Sequence, residues 1–429
     1  MRTIPGAVAP PKAATTVPES GVSAPRAAGS RRVWPGQELL ADDTLAQVLF
    51  SVWSGDPCVV VPSPPGSGKT RLVTLLAAAL AHRAGLRVMI AAQTRAQAGE
   101  LAARLAVVSD RCALITRKGA QIRSGDCPVL TGTAARWRQR SGGEILVATT
   151  ARWMHSQPDR LAADVLIVDE AYQASYADIG AIGAFASQIV CVGDPGQIDP
   201  VVTGDVSRWA DNPTGPHQPA PSALIAAYGQ AVSVRRLIHS WRLGPQSSAL
   251  VSGLFYRDLP FTSRRPDECV VAGADVLPEV AHRLVSTLDG PTDAGLLGAV
   301  AERVGELLDC GYVTADGERG VEPEDVAVVV PHVAQAAMVR AMLAATPGVL
   351  VETANALQGI ERPAVVAVHP LAGYREVSEF ATDPGRTCVA LSRHRAHLSV
   401  VTDAATQSVV SETAHPQEVL DAVLATAAV

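Results

Sequence analysis

Residues 59–70 read Val-Val-Val-Pro-Ser-Pro-Pro-Gly-Ser-Gly-Lys-Thr, and the fold is decided here. Three β-branched apolar residues form a buried strand, a loop with two glycines follows, and Lys69-Thr70 opens an Ala- and Leu-rich helical run. This is the layout of a phosphate cradle. Backbone N–H groups at a helix N-terminus point at the anion, and the helix dipole favours negative charge there. Gly66 and Gly68 let the backbone close around phosphate oxygens without a side-chain clash, with Pro65 and Ser67 completing the loop. In such a cradle Lys69 reaches the β- and γ-phosphates of ATP, and Thr70 places its hydroxyl on Mg²⁺. Ser63 stands where the usual pattern has its first glycine.

Working outward, short apolar runs alternate with helical stretches from Trp34 to about Gly204. Strands are predicted at 57–62, 87–91, 144–148, 164–169 and 188–193, which implies a parallel sheet with helices on both faces. Residues 203–222, with Pro213, Pro216, Pro219 and Pro221, predict a long surface loop near a domain junction. A second alternating set follows, with strands at 325–330, 349–353, 364–369 and 398–402. The fold class expected is α/β, with two tandem parallel-sheet domains at 34–235 and 236–410. Residues 1–33, rich in Ala, Pro, Ser and Thr, are expected to be a disordered tail, and 411–429 a C-terminal helix.

Two further stretches carry chemistry in the first half. Residues 165–173, Val-Leu-Ile-Val-Asp-Glu-Ala-Tyr-Gln, are a buried strand delivering two carboxylates to its tip. Asp169 suits a Mg²⁺ ligand acting through water, and Glu170 a general base for the attacking water. Residues 190–200, Val-Cys-Val-Gly-Asp-Pro-Gly-Gln-Ile-Asp-Pro, end another strand in a turn with Asp194 and Gln197. Gln197 offers both donor and acceptor, as a γ-phosphate sensor requires.

Together the loop, the Asp-Glu-Ala-Tyr-Gln box and the Gly-Asp-Pro-Gly-Gln turn resemble motifs I, II and III of superfamily 1 helicases. They are most similar to the branch containing the nonsense-mediated-decay RNA helicase and its DNA-acting relatives. That resemblance implies two RecA-like P-loop domains with the ATP site in the cleft between them, and extends over roughly 34–405. Residues 237–256, Leu-Ile-His-Ser-Trp-Arg-Leu-Gly-Pro through Gly-Leu-Phe-Tyr, are similar to the family's Tyr-Arg-Met-His-Pro segment, so Arg242 is the arginine expected at the γ-phosphate; Trp241 replaces the usual Tyr. The segment from Val326 to Gln335 resembles the one that opens the second domain, and implies that Gln335 contacts the strand. Residues 353–361, Thr-Ala-Asn-Ala-Leu-Gln-Gly-Ile-Glu, look like motif V. Gly359 and Glu361 then fall on the nucleotide side and Gln358 on the nucleic-acid side. Residues 386–395, Arg-Thr-Cys-Val-Ala-Leu-Ser-Arg-His-Arg, resemble motif VI, with Arg393 as arginine finger. By the same likeness Gln47 reads adenine, while Thr94 and Thr150 offer hydroxyls to the strand's phosphates.

Composition narrows the choice. Of the 36 basic residues only three are lysine, and the formal net charge of −6 argues against a broad basic face gripping duplex DNA. A narrow cleft for single-stranded nucleic acid remains compatible with it. The apolar runs are too short for a membrane span, no signal peptide is apparent, and seven cysteines without a C-x-x-C pair suit a reduced cytoplasmic protein. The expectation is an ATP-dependent helicase or translocase on single-stranded nucleic acid, DNA rather than RNA, moving 5′ to 3′ as a monomer. An alternative is a nucleic-acid-stimulated ATPase switch with little unwinding. A P-loop kinase or transporter ATPase explains the phosphate loop but leaves motifs V and VI to coincidence.

Overall fold

A computed structural model describes residues 34–132, 135–138, 143–286, 290–377, 382–410 and 414–427; the tail expected over 1–33 lies outside the described residues. The first half forms an eight-stranded sheet. Its strands are β1 Cys58–Pro62, β2 Arg87–Ala92, β3 Cys112–Thr116, β4 Val129–Thr131, β5 Glu144–Thr149, β6 Ala163–Val168, β7 Ala186–Gly193 and β8 Val232–Val234. They lie in the order β4-β3-β5-β2-β6-β7-β1-β8, and every pairing is parallel.

A parallel sheet covered on both faces needs apolar residues on both, and β1 is buried along its whole length. Val59 and Val61 join one core with Leu72, Leu76, Ile90 and Ile167. Cys58 and Val60 join the other with Met89, Leu146, Leu166 and Trp153. Packing on two faces holds each strand tip at the same edge, where the loops after β1, β6 and β7 gather.

The second half begins with the short pair β9 His239–Ser240 and β10 Thr262–Ser263. Next come β11 Cys269–Ala272, β12 Asp275–Val276, β13 Val280–Val285, β14 Gly311–Thr314 and β15 Gly317–Gly320. Last are β16 Val326–Val330, β17 Leu350–Thr353, β18 Arg362–Val368 and β19 His394–Asp403. The main sheet here is five-stranded, β13-β19-β18-β16-β17, and again all parallel. Val328 and Val330 face a core with Leu296, Leu297 and Val300; Ala327 and Val329 face another with Leu243, Leu250 and Val251. The chain is therefore α/β, with tandem RecA-like sheets.

Departures from the expected layout have local causes. β11, β12, β14 and β15 make a small antiparallel sheet that no apolar run announces, since β15 (Gly-Glu-Arg-Gly) is fully exposed. β13 carries His282 and Arg283 because it is an edge strand, buried at only one of its six positions. Pro221 stands near the start of helix Ala220–Tyr228, where its missing N–H costs nothing, so the expected loop ends there. The helix Ala414–Ala427 packs Val419 and Val423 into the second half. Among the described residues, no helix is long and apolar enough to cross a membrane.

Candidate active site

The loop after β1 turns through Gly66 and Gly68, both with left-handed backbone (φ 70° and 83°), before helix Lys69–Ala79 begins. Gly66 is also required by space. A Cβ there would lie 2.3 Å from Cβ of Arg242. The segment carrying Arg242 is laced to the loop: Trp241 N donates to the Gly66 carbonyl at 2.9 Å, and Ser240 Oγ to the Pro65 carbonyl at 2.8 Å. The phosphate-type loop of the first half is thus roofed by the second.

On the first-half side, Lys69 Nζ lies 3.4 Å from both the Pro64 carbonyl and Asp194 Oδ2. Asp194 is a hub. Its Oδ2 also accepts from Gln197 Nε2 at 2.5 Å, and its Oδ1 accepts from Gly196 N at 3.1 Å and Tyr256 OH at 2.5 Å. Asp169 follows β6, is buried, and accepts from Glu170 N at 3.1 Å. Burial, reinforced by the Glu170 carboxylate beside it, pushes its pKa up to about 7, so the pair repels unless a cation joins it. Glu170 is the one non-glycine residue with positive φ (49°) among the described residues. Such backbone costs on the order of 1–3 kcal/mol and persists where the surroundings enforce it.

The second-half side supplies arginines. Arg242 Nε donates to Glu361 Oε2 at 2.5 Å and its Nη1 to the Ser392 carbonyl at 3.1 Å. Burial alone would raise the Glu361 pKa, but Arg242 and then Arg395, whose Nη1 sits 3.1 Å from Oε1, hold it below the usual carboxylate range. Arg395 also pairs with Glu268, which accepts from Tyr312 OH on the small sheet. Arg393 differs. It is 1% exposed, its Nη2 meets only Ser392 Oγ at 3.0 Å, and its Nε has no partner. Burial, and secondarily Arg242, drive its pKa down to about 10.

These groups share one cavity of about 340 Å³. Gly66, Ser67, Gly68, Lys69 and Thr70 line its floor, with Asp169, Glu170 and Gln197 beside them. Arg242, Gly359, Glu361 and Arg393 close it from the second half. A larger apolar cavity, about 630 Å³, lies by Cys58 and Tyr176 at the other ends of the strands and holds none of these groups.

Other expected site residues stand elsewhere. Gln47 is exposed on helix Asp43–Trp53 and does not line the cavity. Thr94 caps helix Arg95–Val108, accepting from Gln97 N at 3.2 Å, with its side chain exposed. Thr150 is buried with Oγ1 on the Ala92 carbonyl, in place of offering it to a strand. Gln335 stands furthest from the expected role. It is fully buried, its Nε2 on the Pro291 carbonyl and its Oε1 on His332 N, so it anchors its own helix. Gln358 is half-buried with Nε2 unpartnered. Sequence reasoning gave Asp194 no role, although it stands next to the end of β7. Tyr256 and Arg395 fall inside the stretches 237–256 and 386–395 but were given no role there, and the lining residues Gln97 and Glu100 carried no local signal.

A family model described as an AAA domain matches residues 46–218, and a second with the same description matches 297–405. The RecBCD enzyme subunit RecD of Mycolicibacterium smegmatis is 30% identical over 200 residues, covering 44% of this chain and 34% of that protein. The match thus spans about a third of the relative's length. Among solved structures, the Arterivirus nonstructural protein 10 helicase aligns with TM-score 0.44 and 16% identity, over 82% of this chain and 61% of that one. The PRRSV helicase aligns with TM-score 0.45 and 15% identity, over 84% and 55%.

Proposed function

We propose that the chain is an ATPase of the superfamily 1 helicase kind, driven by single-stranded nucleic acid, which hydrolyses ATP to ADP and phosphate and moves along the strand 5′ to 3′. The observation that carries this reading is Arg393. A buried guanidinium without a carboxylate is costly, and here it faces the same cavity as a phosphate-type loop. A triphosphate lying between Lys69 and Arg393 would neutralise both. The orphaned Ser67 Oγ and the open space above Gly68 fit the same ligand.

Roles follow from position. Backbone N–H groups of residues 66–69 bind phosphate oxygens, and Lys69 exchanges Asp194 for the β- and γ-phosphates. Thr70 and Asp169 are the groups that would hold Mg²⁺, which when bound screens the phosphate charge and joins the otherwise repelling carboxylates. Glu170 takes the proton of the attacking water, and Gln197 senses the γ-phosphate. Arg242 and Arg393 stabilise the charge that grows on the transferring group. Trp241, half exposed on the cavity rim, offers an indole face for a base. Coupling arises because floor and roof belong to different sheets, so ATP favours the closed cleft and its loss favours opening.

A second reading, an ATP-driven switch that moves little, draws support from the burial of Thr150 and Gln335, two of the residues expected to touch the strand. One assay separates them. Turnover would be measured alone, with single-stranded DNA of increasing length, with RNA, and with overhang duplexes of both polarities. Stimulation growing with DNA length and unwinding from 5′ overhangs support the motor; length-independent stimulation favours the switch; no ATPase activity under any condition sinks both.

A further inference from the structure

We propose that Tyr256 is a positioning residue of the second half that holds the γ-phosphate-sensing loop of the first half in working register. The proposal deepens the ATPase reading above and rests on it. Residues 194–198 follow β7 of the first sheet, yet they are fixed from the other side of the cleft. Tyr256 ends helix Pro245–Phe255, is 2% exposed, and packs edge-on against Phe261 with centroids 5.2 Å apart. Its hydroxyl lies 2.5 Å from Asp194 Oδ1 and 3.4 Å from Cys388 Sγ.

Two glycines show how closely the loop is clasped. A Cβ at Gly196 would fall 2.5 Å from Tyr256 Cζ and 2.7 Å from its hydroxyl. One at Gly385, in helix Pro384–Leu391, would fall 2.8 Å from the Gln197 carbonyl. Ile198 then buries its side chain in the second-half core with Leu254 and Tyr256.

Asp194 turns this clasp into chemistry. Its Oδ2 gathers Lys69 and Gln197, the two first-half groups that meet the terminal phosphates. Its Oδ1 is held by Tyr256 and the Gly196 amide. Burial, and then the Asp194 charge, push the Tyr256 pKa far up, so the phenol keeps its proton and donates. With the cleft shut, the phenol fixes the carboxylate, and the carboxylate fixes the direction of Lys69 and Gln197. Separation of the halves removes that donor, so the sensor is aligned only in the closed form.

Tyr256→Phe keeps the ring on Gly196 and Phe261 and deletes only the donor. The full chain and this variant would be compared for kcat and KM with ATP, with and without single-stranded DNA, and by thermal melting. Losing a hydrogen bond to a buried carboxylate should lower kcat about ten- to a hundredfold. KM should stay within about threefold and the nucleic-acid stimulation should shrink. The melting curve guards against a folding defect in this variant, and Gly196→Ala, which drives a methyl into the phenol but leaves its hydroxyl, should reproduce the kcat loss. Unchanged kcat and stimulation in Tyr256→Phe overturn the proposal, as does a kcat loss that merely tracks the folded fraction. A wild-type chain without ATPase activity sinks the underlying reading; an active wild type with an equally active Tyr256→Phe sinks the clasp alone.

Discussion

The two sides of the cleft handle charge in opposite ways. On the first-half side the buried cation of the loop, Lys69, is answered by Asp194, and the acids Asp169 and Glu170 stand beside it. On the other side Arg242 is answered by Glu361, but Arg393 has no carboxylate among the described residues and lies fully buried. The contrast fits the proposed division of labour, in which the first half binds and the second completes: a surplus positive charge is held out of water beside a cavity where an anion bridging both halves would offset it.

The largest effect that would sharpen this contrast is at Lys69. Lys69→Ala should abolish phosphate release, and residual turnover above a few per cent would break the assignment of the cradle. Arg393→Ala should slow turnover about 10³-fold while nucleotide still binds, as for arginine fingers generally. A measured rate near wild type would mean the second half completes nothing. Glu361→Gln leaves Arg242 an amide oxygen in place of a carboxylate, so the pairing loses its charge, and turnover should drop about tenfold. Its melting temperature should hardly move, because this carboxylate is 40% exposed and such pairs contribute little stability.

Acid offers a smaller and more global test. His369 and His397 are buried and, chiefly through burial, have pKa values lowered to about 4; His394 is lowered well below the ordinary value for the same reason. All three lie in the second half. Their unfolded forms take up protons from about pH 6.5, whereas folded His369 and His397 stay neutral until about 4, so stability falls as pH drops through that window. Hydrogen exchange between pH 7 and 4.5 should show second-half amides losing protection first; earlier loss in the first sheet would count against the contrast. Least of all, Gln335→Ala should cost about 1–2 kcal/mol of stability through its lost internal bonds, with strand affinity per folded molecule unchanged.

Much of the first half was legible because each candidate site residue follows a buried run at the tip of a strand. Lys69, Asp169, Glu170 and Gln197 all obey that rule, so strand position and chemistry coincide. The second half obeys it less. Arg242, Glu361 and Arg393 were named through resemblance, but nothing local signals that Arg242 pairs with Glu361 and the Ser392 carbonyl, 119 and 150 residues away. Gln335 misled for a physical reason: a glutamine three residues past His332 at a helix start serves equally to close a cap, and here it does. Tyr256 is core, and its hydroxyl's partner could not be seen without the fold.

Ile198 has a consequence for dissecting the protein. A cut at residue 235, where the strand pattern changes, would leave an oily knob on the amino-terminal fragment and the matching hole in the other. Each piece would be spoiled by the division in its own way, one sticky and one hollow, so the halves are better studied joined than apart.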